Sequence, residues 1–270
     1  MARPITFLSD YGYADEFAGV CRAVIAGIAP EATVIDLTHG VTRHAIREGA
    51  TILANALPYA PAGVHLAVVD PGVGSPRRAL AVRVAPEDRV LVGPDNGLLW
   101  PAIERLGGVV EAVDVALSRF RLEPISATFH GRDVFAPVAA RLALGVPLSE
   151  AGEEIATDSL TTIEVSEPVI GESRIVAHVV SVDRFGNAVL DLADRHLAQT
   201  GLRMGNHVAV ETGDRVHDAA FTLTFAEVGP GELILYVDSY RSLALAVNRA
   251  SAADRLRLAP GDEVVLRPQP

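Results

Sequence analysis

A chain of 270 residues has length enough for two cores, and 49% apolar residues against 21% charged ones exclude a disordered polymer. The formal charge of −11 is wrong for a surface that neutralises nucleic-acid phosphates and points to small-molecule chemistry. All 23 basic residues are arginine, so Schiff-base catalysis, pyridoxal phosphate anchoring and a phosphate-loop lysine are excluded.

The start carries one arginine and then only Ile5–Leu8 as an apolar run, too short for a secretory signal. No stretch approaches the roughly 18 apolar residues of a membrane helix. Cytoplasm is the expected compartment, and no membrane partner is expected. From there β-rich and helical runs alternate. Predicted strands are Ile5–Leu8, Thr33–Leu37, Val64–Val69, Ala79–Val84, Arg89–Val92 and Val109–Val115. Predicted helices, with apolar residues three and four apart, are Asp15–Ile28, Ile46–Leu57, Leu98–Leu106 and Asp133–Leu144, the last stopped by Gly145. Cys21, the single cysteine, falls in the first helix as a buried, inert thiol and rules out an intrachain disulfide.

From Gly145 to Glu172 the text turns acidic and loop-like, with Pro147, Pro168 and Gly171. Alternating runs follow: Arg174–Val182, Asn187–Leu192, His207–Glu211, Ala219–Phe225, Glu232–Val237 and Glu263–Arg267, separated by glycine-containing turns. The expected fold class is α/β: an N-terminal α/β sandwich domain with a central, mostly parallel sheet (1–160), a linker (161–172) and a smaller C-terminal all-β domain, barrel or sandwich (173–270).

In an open α/β sheet, ligands collect beyond the carboxyl ends of the strands, so polar residues closing apolar runs matter most. Asp10 closes the first run and Asp70 the third, and a carboxylate at that depth needs a partner. Asp95 and Asn96 follow the fifth run, where capping of an ordinary turn is the preferred reading. Pro71-Gly-Val-Gly-Ser-Pro76 lacks the third glycine of a dinucleotide turn, and Pro76 breaks the helix such a turn opens. The Arg77-Arg78 pair can fold back so that one guanidinium grips Asp70 with two parallel bonds. His130 stands at the mouth of a helix beside Gly131. His39 reads as a capping or core residue, and His178, His196, His207 and His217 as surface or core fillers in the β-rich half.

Taken together, Phe7-Leu-Ser-Asp10-Tyr-Gly12, Ile35-Asp-Leu-Thr-His39, Val68-Val-Asp-Pro-Gly-Val-Gly74 with Arg77-Arg78, Gly93-Pro-Asp-Asn-Gly97, Thr128-Phe-His-Gly131, Asp183-Arg-Phe-Gly-Asn187 and Asp238-Ser239 form a recognisable set. In order and spacing the set resembles the S-adenosyl-L-methionine hydroxide adenosyltransferases, relatives of the fluorinating and chlorinating enzymes that act on the same substrate. The resemblance implies an N-terminal α/β domain joined to a C-terminal β-barrel, and trimers whose substrate lies between one subunit's N-domain and its neighbour's C-domain. It implies hydrolysis of S-adenosyl-L-methionine to adenosine and methionine, with no metal or organic cofactor.

By position, Asp70, Arg77 and His130 correspond to the family's water-activating triad, Arg77 keeping Asp70 ionised and fixed. Asp10 corresponds to the ribose ligand; Asp15, Asp183 and Ser239 to ligands of the methionine part; Phe185, Asn187 and Phe225 to the adenine frame. Asn96, Gly131, Tyr240 and Arg249 complete the expected substrate contacts, with Arg241 a candidate for the substrate's carboxylate. Halogenating relatives carry tyrosine at position 70 and commonly serine at 131, so Asp70 and Gly131 point to water as nucleophile. The alternatives are a halide-using adenosyl transferase, a metal-dependent hydrolase ligated by Asp10, His39, Asp70 and His130, and a nucleoside-binding module without turnover.

Overall fold

The computed structural model describes every residue except Met1, Val165, Glu172 and Pro270. Two compact units divide the chain, Met1–Ile163 and Glu164–Pro270. Of the predicted linker, Val165 and Glu172 lie outside the described residues.

The first unit holds one seven-stranded sheet: β1 (Ile5–Ser9), β2 (Val34–Thr38), β3 (Val64–Val68), β4 (Ala79–Val84), β5 (Arg89–Pro94), β6 (Val109–Asp114) and β7 (Glu153–Glu154). Their order is β2-β1-β3-β5-β4-β6-β7. β2, β1, β3 and β5 pair in parallel, and only β4 and β7 run against the common direction. Strands covered on both faces read as continuous apolar runs, and all five residues of β1 and of β3 are buried. Alternate side chains feed opposite faces. Val64, Leu66 and Val68 join the core under α1 (Phe17–Ile28) and α4 (Ala136–Ala143), whereas Ala67 and Val69 join the core that holds Leu53 of α2 (Ile46–Ala56) and Ile103 of α3 (Trp100–Arg105).

Helix ends follow local chemistry. α1 stops at Ala29 because Pro30 pushes its predecessor out of the helical region, here to φ −129° and ψ 69°. α3 starts later than predicted, at Trp100, with Pro101 in its first turn. The predicted helix from Asp133 is split: Gly131–Phe135 forms a π-turn, and regular α-helix begins only at Ala136.

The second unit contains β8 (Val169–Ile170), β9 (Ile175–Val182), β10 (Ala188–Ala193), β11 (His207–Thr212), β12 (Arg215–Phe221), β13 (Leu233–Val237), β14 (Ser242–Val247) and β15 (Glu263–Pro268), with the short helix α5 (Ala252–Leu256). The order β10-β14-β13-β12-β11-β15-β9 closes through a β9–β10 pairing into a seven-stranded barrel, with β8 attached to β9. Barrel, not sandwich, is therefore the outcome. β12 corrects the predicted Ala219–Phe225 strand: the tight Gly213-Asp214 turn starts it at Arg215, and Phe225 instead opens a 3₁₀ turn. β14 was not predicted, because its last five residues are all buried and show no alternation.

Candidate active site

Because β1 lies between β2 and β3, the chain leaves β1 toward one side of the sheet and returns on the other. The loops after these three strands meet at that point of reversal. They enclose a cleft of about 320 Å³ whose lining includes Asp10, Asp15, Arg43, Asp70 and His130. Asp10 follows β1, Arg43 and His44 follow β2, Asp70 follows β3, and His130 stands at the head of the π-turn.

Asp70 and Arg77 meet as a forked pair. Arg77 Nε donates to Asp70 Oδ1 at 2.8 Å and Nη2 donates to Oδ2, with side chains only 6% and 10% exposed. The same Nη2 donates to His130 Nδ1 at 3.2 Å, Nη1 donates to the Arg78 carbonyl at 3.2 Å, and the guanidinium lies 5.3 Å from the centre of the Phe135 ring. A guanidinium can only donate, so His130 Nδ1 accepts and the neutral ring carries its proton on Nε2. Burial, then the charge of Arg77, push the His130 pKa below its usual value, with Asp70 opposing. The adjacent Arg78 is turned away: it pairs with buried Asp95 and donates to Ser159.

Two glycines bring Asp70 and His130 together. Gly74 has φ +79°, and a Cβ there would stand 2.5 Å from the Ala127 carbonyl, so the loop after β3 packs against the segment leading to His130. At Gly131 a Cβ would stand 1.9 Å from the Tyr11 hydroxyl. Tyr11 is wedged among Phe7, Phe17 and Phe129, and burial raises its pKa well above the usual phenol value, so it stays protonated. Buried Asp133 fixes the same segment by accepting from Arg132 and from the Ser126 N–H.

His39 is a core residue, as expected. Its Nδ1 bonds Ser9 Oγ at 2.8 Å, its carbonyl accepts the Gly12 N–H at 2.7 Å, and its own N–H donates to the Tyr13 hydroxyl. Nε2 approaches Asp36 at 3.4 Å without hydrogen-bond geometry. Serine, histidine and aspartate thus line up, but Ser9 is 0% and His39 1% exposed. No substrate reaches that serine; the cluster braces the loop that carries Asp10. Asp10 in turn accepts the His44 N–H at 2.9 Å.

Asn96 is not among the cleft-lining residues. Its amide donates to the Val69 carbonyl at 2.9 Å and accepts the Leu98 N–H, which ties the β5 turn to the residue before Asp70. Sequence reasoning missed Tyr11, Phe17, Arg43 and His44 as cleft residues. The rule that located Asp10 and Asp70 applied equally to the loop after β2, where the apolar run is less pure and the signal weaker. Among the described residues, no group of three His, Cys, Asp or Glu side chains is placed to hold a metal ion.

In the second unit, Asp183, Phe185 and Asn187 share the β9–β10 turn. Asp183 Oδ1 accepts the N–H groups of Phe185 and Asn187, and Oδ2 accepts the Asn187 side-chain amide at 2.8 Å. Ser239 and Tyr240 lie in the β13–β14 turn, which Asp238 closes by accepting from the Tyr240 and Ser242 N–H groups. Phe225 packs 5.1 Å from Tyr236, whose pKa is pushed up to about 12 by burial and then by Asp183 and Asp238. Both turns and Phe225 therefore surround Tyr236, a residue the sequence did not single out. Arg249 is exposed, with φ 63°. Arg241 is ion-paired to Asp194 at 2.5 Å.

Residues 5–152 match the model of the SAM hydroxide adenosyltransferase N-terminal domain, and residues 177–265 match that of the C-terminal domain. A Salinispora tropica protein named (R)-S-adenosyl-L-methionine hydrolase is 47% identical over 96% of each chain, and a Thermus thermophilus protein of the same name is 40% identical over 98% of this chain and 99% of its own. A fluorinase of Nocardia brasiliensis is more distant, at 27% identity over 98% and 97%. A crystal structure of a conserved protein from Thermotoga maritima superposes with a TM-score of 0.91 at 35% identity, covering 97% of this chain and 99% of that one. The chain belongs to the SAM hydroxide adenosyltransferase family.

Proposed function

We propose that this protein hydrolyses S-adenosyl-L-methionine to adenosine and L-methionine by in-line attack of water on the ribose C5′. The observation that carries this reading is the fixed Asp70–Arg77–His130 cluster at the cleft. The leaving group is good, since the C5′–S electron pair neutralises the sulfonium and releases a thioether. Water is the weak reactant and needs the help.

His130 has Nδ1 occupied by Arg77, so its Nε2–H donates to the water oxygen and cannot take a proton from it. Asp70 is then the acceptor: as oxygen bonds to C5′, one water proton passes to its carboxylate and later to solvent. Such general-base help is worth about 10²–10⁴-fold. Holding oxygen, carbon and sulfur in line within a covered cleft supplies much of the remainder.

Asp10 binds the ribose hydroxyls; Asp15 and, from a neighbouring subunit of a homotrimer, Asp183 and Ser239 bind the methionine part; Phe185, Asn187 and Phe225 frame the adenine. Asn96 supports Asp70, while Gly131, Tyr240 and Arg249 border the bound substrate. The two-domain division at 1–160 and 173–270 and a cytoplasmic location belong to the same reading. No helix among the described residues is long and apolar enough to cross a membrane.

The test is incubation of the purified protein with S-adenosyl-L-methionine in isotopically labelled water. Adenosine carrying the label on its 5′ oxygen, with unlabelled methionine, is the expected result. A 5′-halo-5′-deoxyadenosine product in added halide would move the protein to the halide-using branch, and absence of any cleavage product would overturn the reading.

A further inference from the structure

We infer that Arg43 is the subsite for the substrate's carboxylate; the inference rests on the reading above and extends it to a residue with no assigned role. S-adenosyl-L-methionine brings two positive charges, on sulfonium and amine, and one negative charge. The cleft is lined by Asp10, Asp15 and Asp70, and Asp70 is already matched by Arg77. With Asp10 given to the ribose hydroxyls, Asp15 is left for the amine and Arg43 for the anion. Among the described residues Arg43 makes no ion pair, and it is the permanent cation in the lining.

Two other arginines that could serve, Arg77 and Arg241, are committed. Arg77 uses its N–H groups on Asp70, His130 and the Arg78 carbonyl; Arg241, the candidate drawn from sequence, is paired with Asp194. Arg43 is also held in position. The His44 N–H is bonded to Asp10, with His44 at φ 64°, and the Thr42 N–H donates to Glu48. The Ala45 N–H closes a turn onto the Thr42 carbonyl at 3.0 Å. The backbone on both sides of Arg43 is thus tied down, one tie running to the proposed ribose ligand itself. A guanidinium on such a support offers a carboxylate two parallel bonds without ordering a loop.

The experiment compares S-adenosyl-L-methionine with its decarboxylated form, which keeps both cations and lacks the anion. Binding by calorimetry and kcat/KM by adenosine release are measured for the native protein, Arg43→Gln and Arg43→Lys. In Arg43→Gln the native preference for the carboxylate-bearing compound falls about 10- to 100-fold, the worth of a hydrogen-bonded charge pair, and Arg43→Lys recovers part of it. An unchanged preference in Arg43→Gln, or equal losses for both compounds, overturns the inference. If the native protein binds both compounds but releases no adenosine, the hydrolase reading falls and the binding arm still decides Arg43. If it binds neither, both fall.

Discussion

Asp70→Asn separates proton acceptance from shape. Asparagine keeps the outline of the side chain and one oxygen for Arg77 Nε, now 2.8 Å from Asp70 Oδ1, but its amide nitrogen faces Arg77 Nη2, donor against donor, and takes no proton from water. Loss of the general base lowers kcat about 10²–10⁴-fold, or roughly 3–5 kcal/mol at 1.36 kcal/mol per tenfold. KM stays within about threefold, because the ribose and amino-acid ligands lie elsewhere. The pair is buried, and breaking such a pair costs about 3–5 kcal/mol. Arg77 keeps its bond to the Arg78 carbonyl and its place over Phe135, so the lower end applies, with a melting point lower by roughly 6–12 °C. Adenosine release is therefore assayed at 25 °C, with circular dichroism as the folding control. A folded Asp70→Asn protein with kcat within threefold of native would refute the proton path.

Three further outcomes follow from the same geometry. Gly131→Ala drives a methyl group into the Tyr11 hydroxyl and costs about 1–3 kcal/mol of stability; Tyr11→Phe removes the 1.9 Å contact, leaving a ring carbon at 3.0 Å, so a double-mutant cycle should show recovery, and strict additivity would contradict the clash. The proposed mechanism uses neutral His130, whose pKa is lowered by burial and then by Arg77. Hence kcat/KM is flat near neutrality and falls in acid with a midpoint below 6.5, and a midpoint at or above 6.5 in the pH profile counts against the assignment. His65, 0% exposed, donates to Thr6 and accepts from Arg89, and burial followed by the charges of Arg89 and Arg3 lowers its pKa to about 3. The unfolded chain binds that proton first, so the stability is complete above pH 6.5 and drains by about 1.4 kcal/mol per unit as pH falls toward 3. Urea unfolding at pH 7 and pH 5 should show about 2 kcal/mol of this loss in the native protein, and identical pH dependence in His65→Gln would exclude His65 as its source.

The sequence made the N-terminal sheet legible because buried parallel strands are apolar without interruption, and Asp10 and Asp70 stood out as the first charges after such runs. β14 escaped for the same reason in reverse: with five successive buried residues it lacks the alternation expected of a barrel strand. The Asp70–Arg77 pair was readable from spacing, but which arginine of the two turns inward was not. That choice is made by Asp95 and Ser159, distant in sequence, which hold Arg78. Arg43 and Tyr11 were hidden because their neighbours look like ordinary loop text, and only the convergence of three strand ends shows that they border one cleft.

In the proposed mechanism the direction of proton flow depends on arginine, not simply on positive charge. Arg77 uses Nε and Nη2 on the two oxygens of Asp70, Nη2 again on His130 Nδ1, and Nη1 on the Arg78 carbonyl. Four donors spread over three nitrogens exceed the three hydrogens on the single nitrogen of an ammonium group, so a lysine could not hold both oxygens of Asp70, the histidine and the Arg78 carbonyl at once. The fork fixes the carboxylate and the imidazole tautomer with one side chain. Once Nδ1 is an acceptor for arginine, Nε2 carries the proton, and under the proposed mechanism it donates to the nucleophile and the carboxylate is left as the base. The assignment of base and donor is therefore a consequence of hydrogen-bond counting around Arg77, and it holds only as long as that guanidinium stays where Asp70, His130 and Phe135 place it.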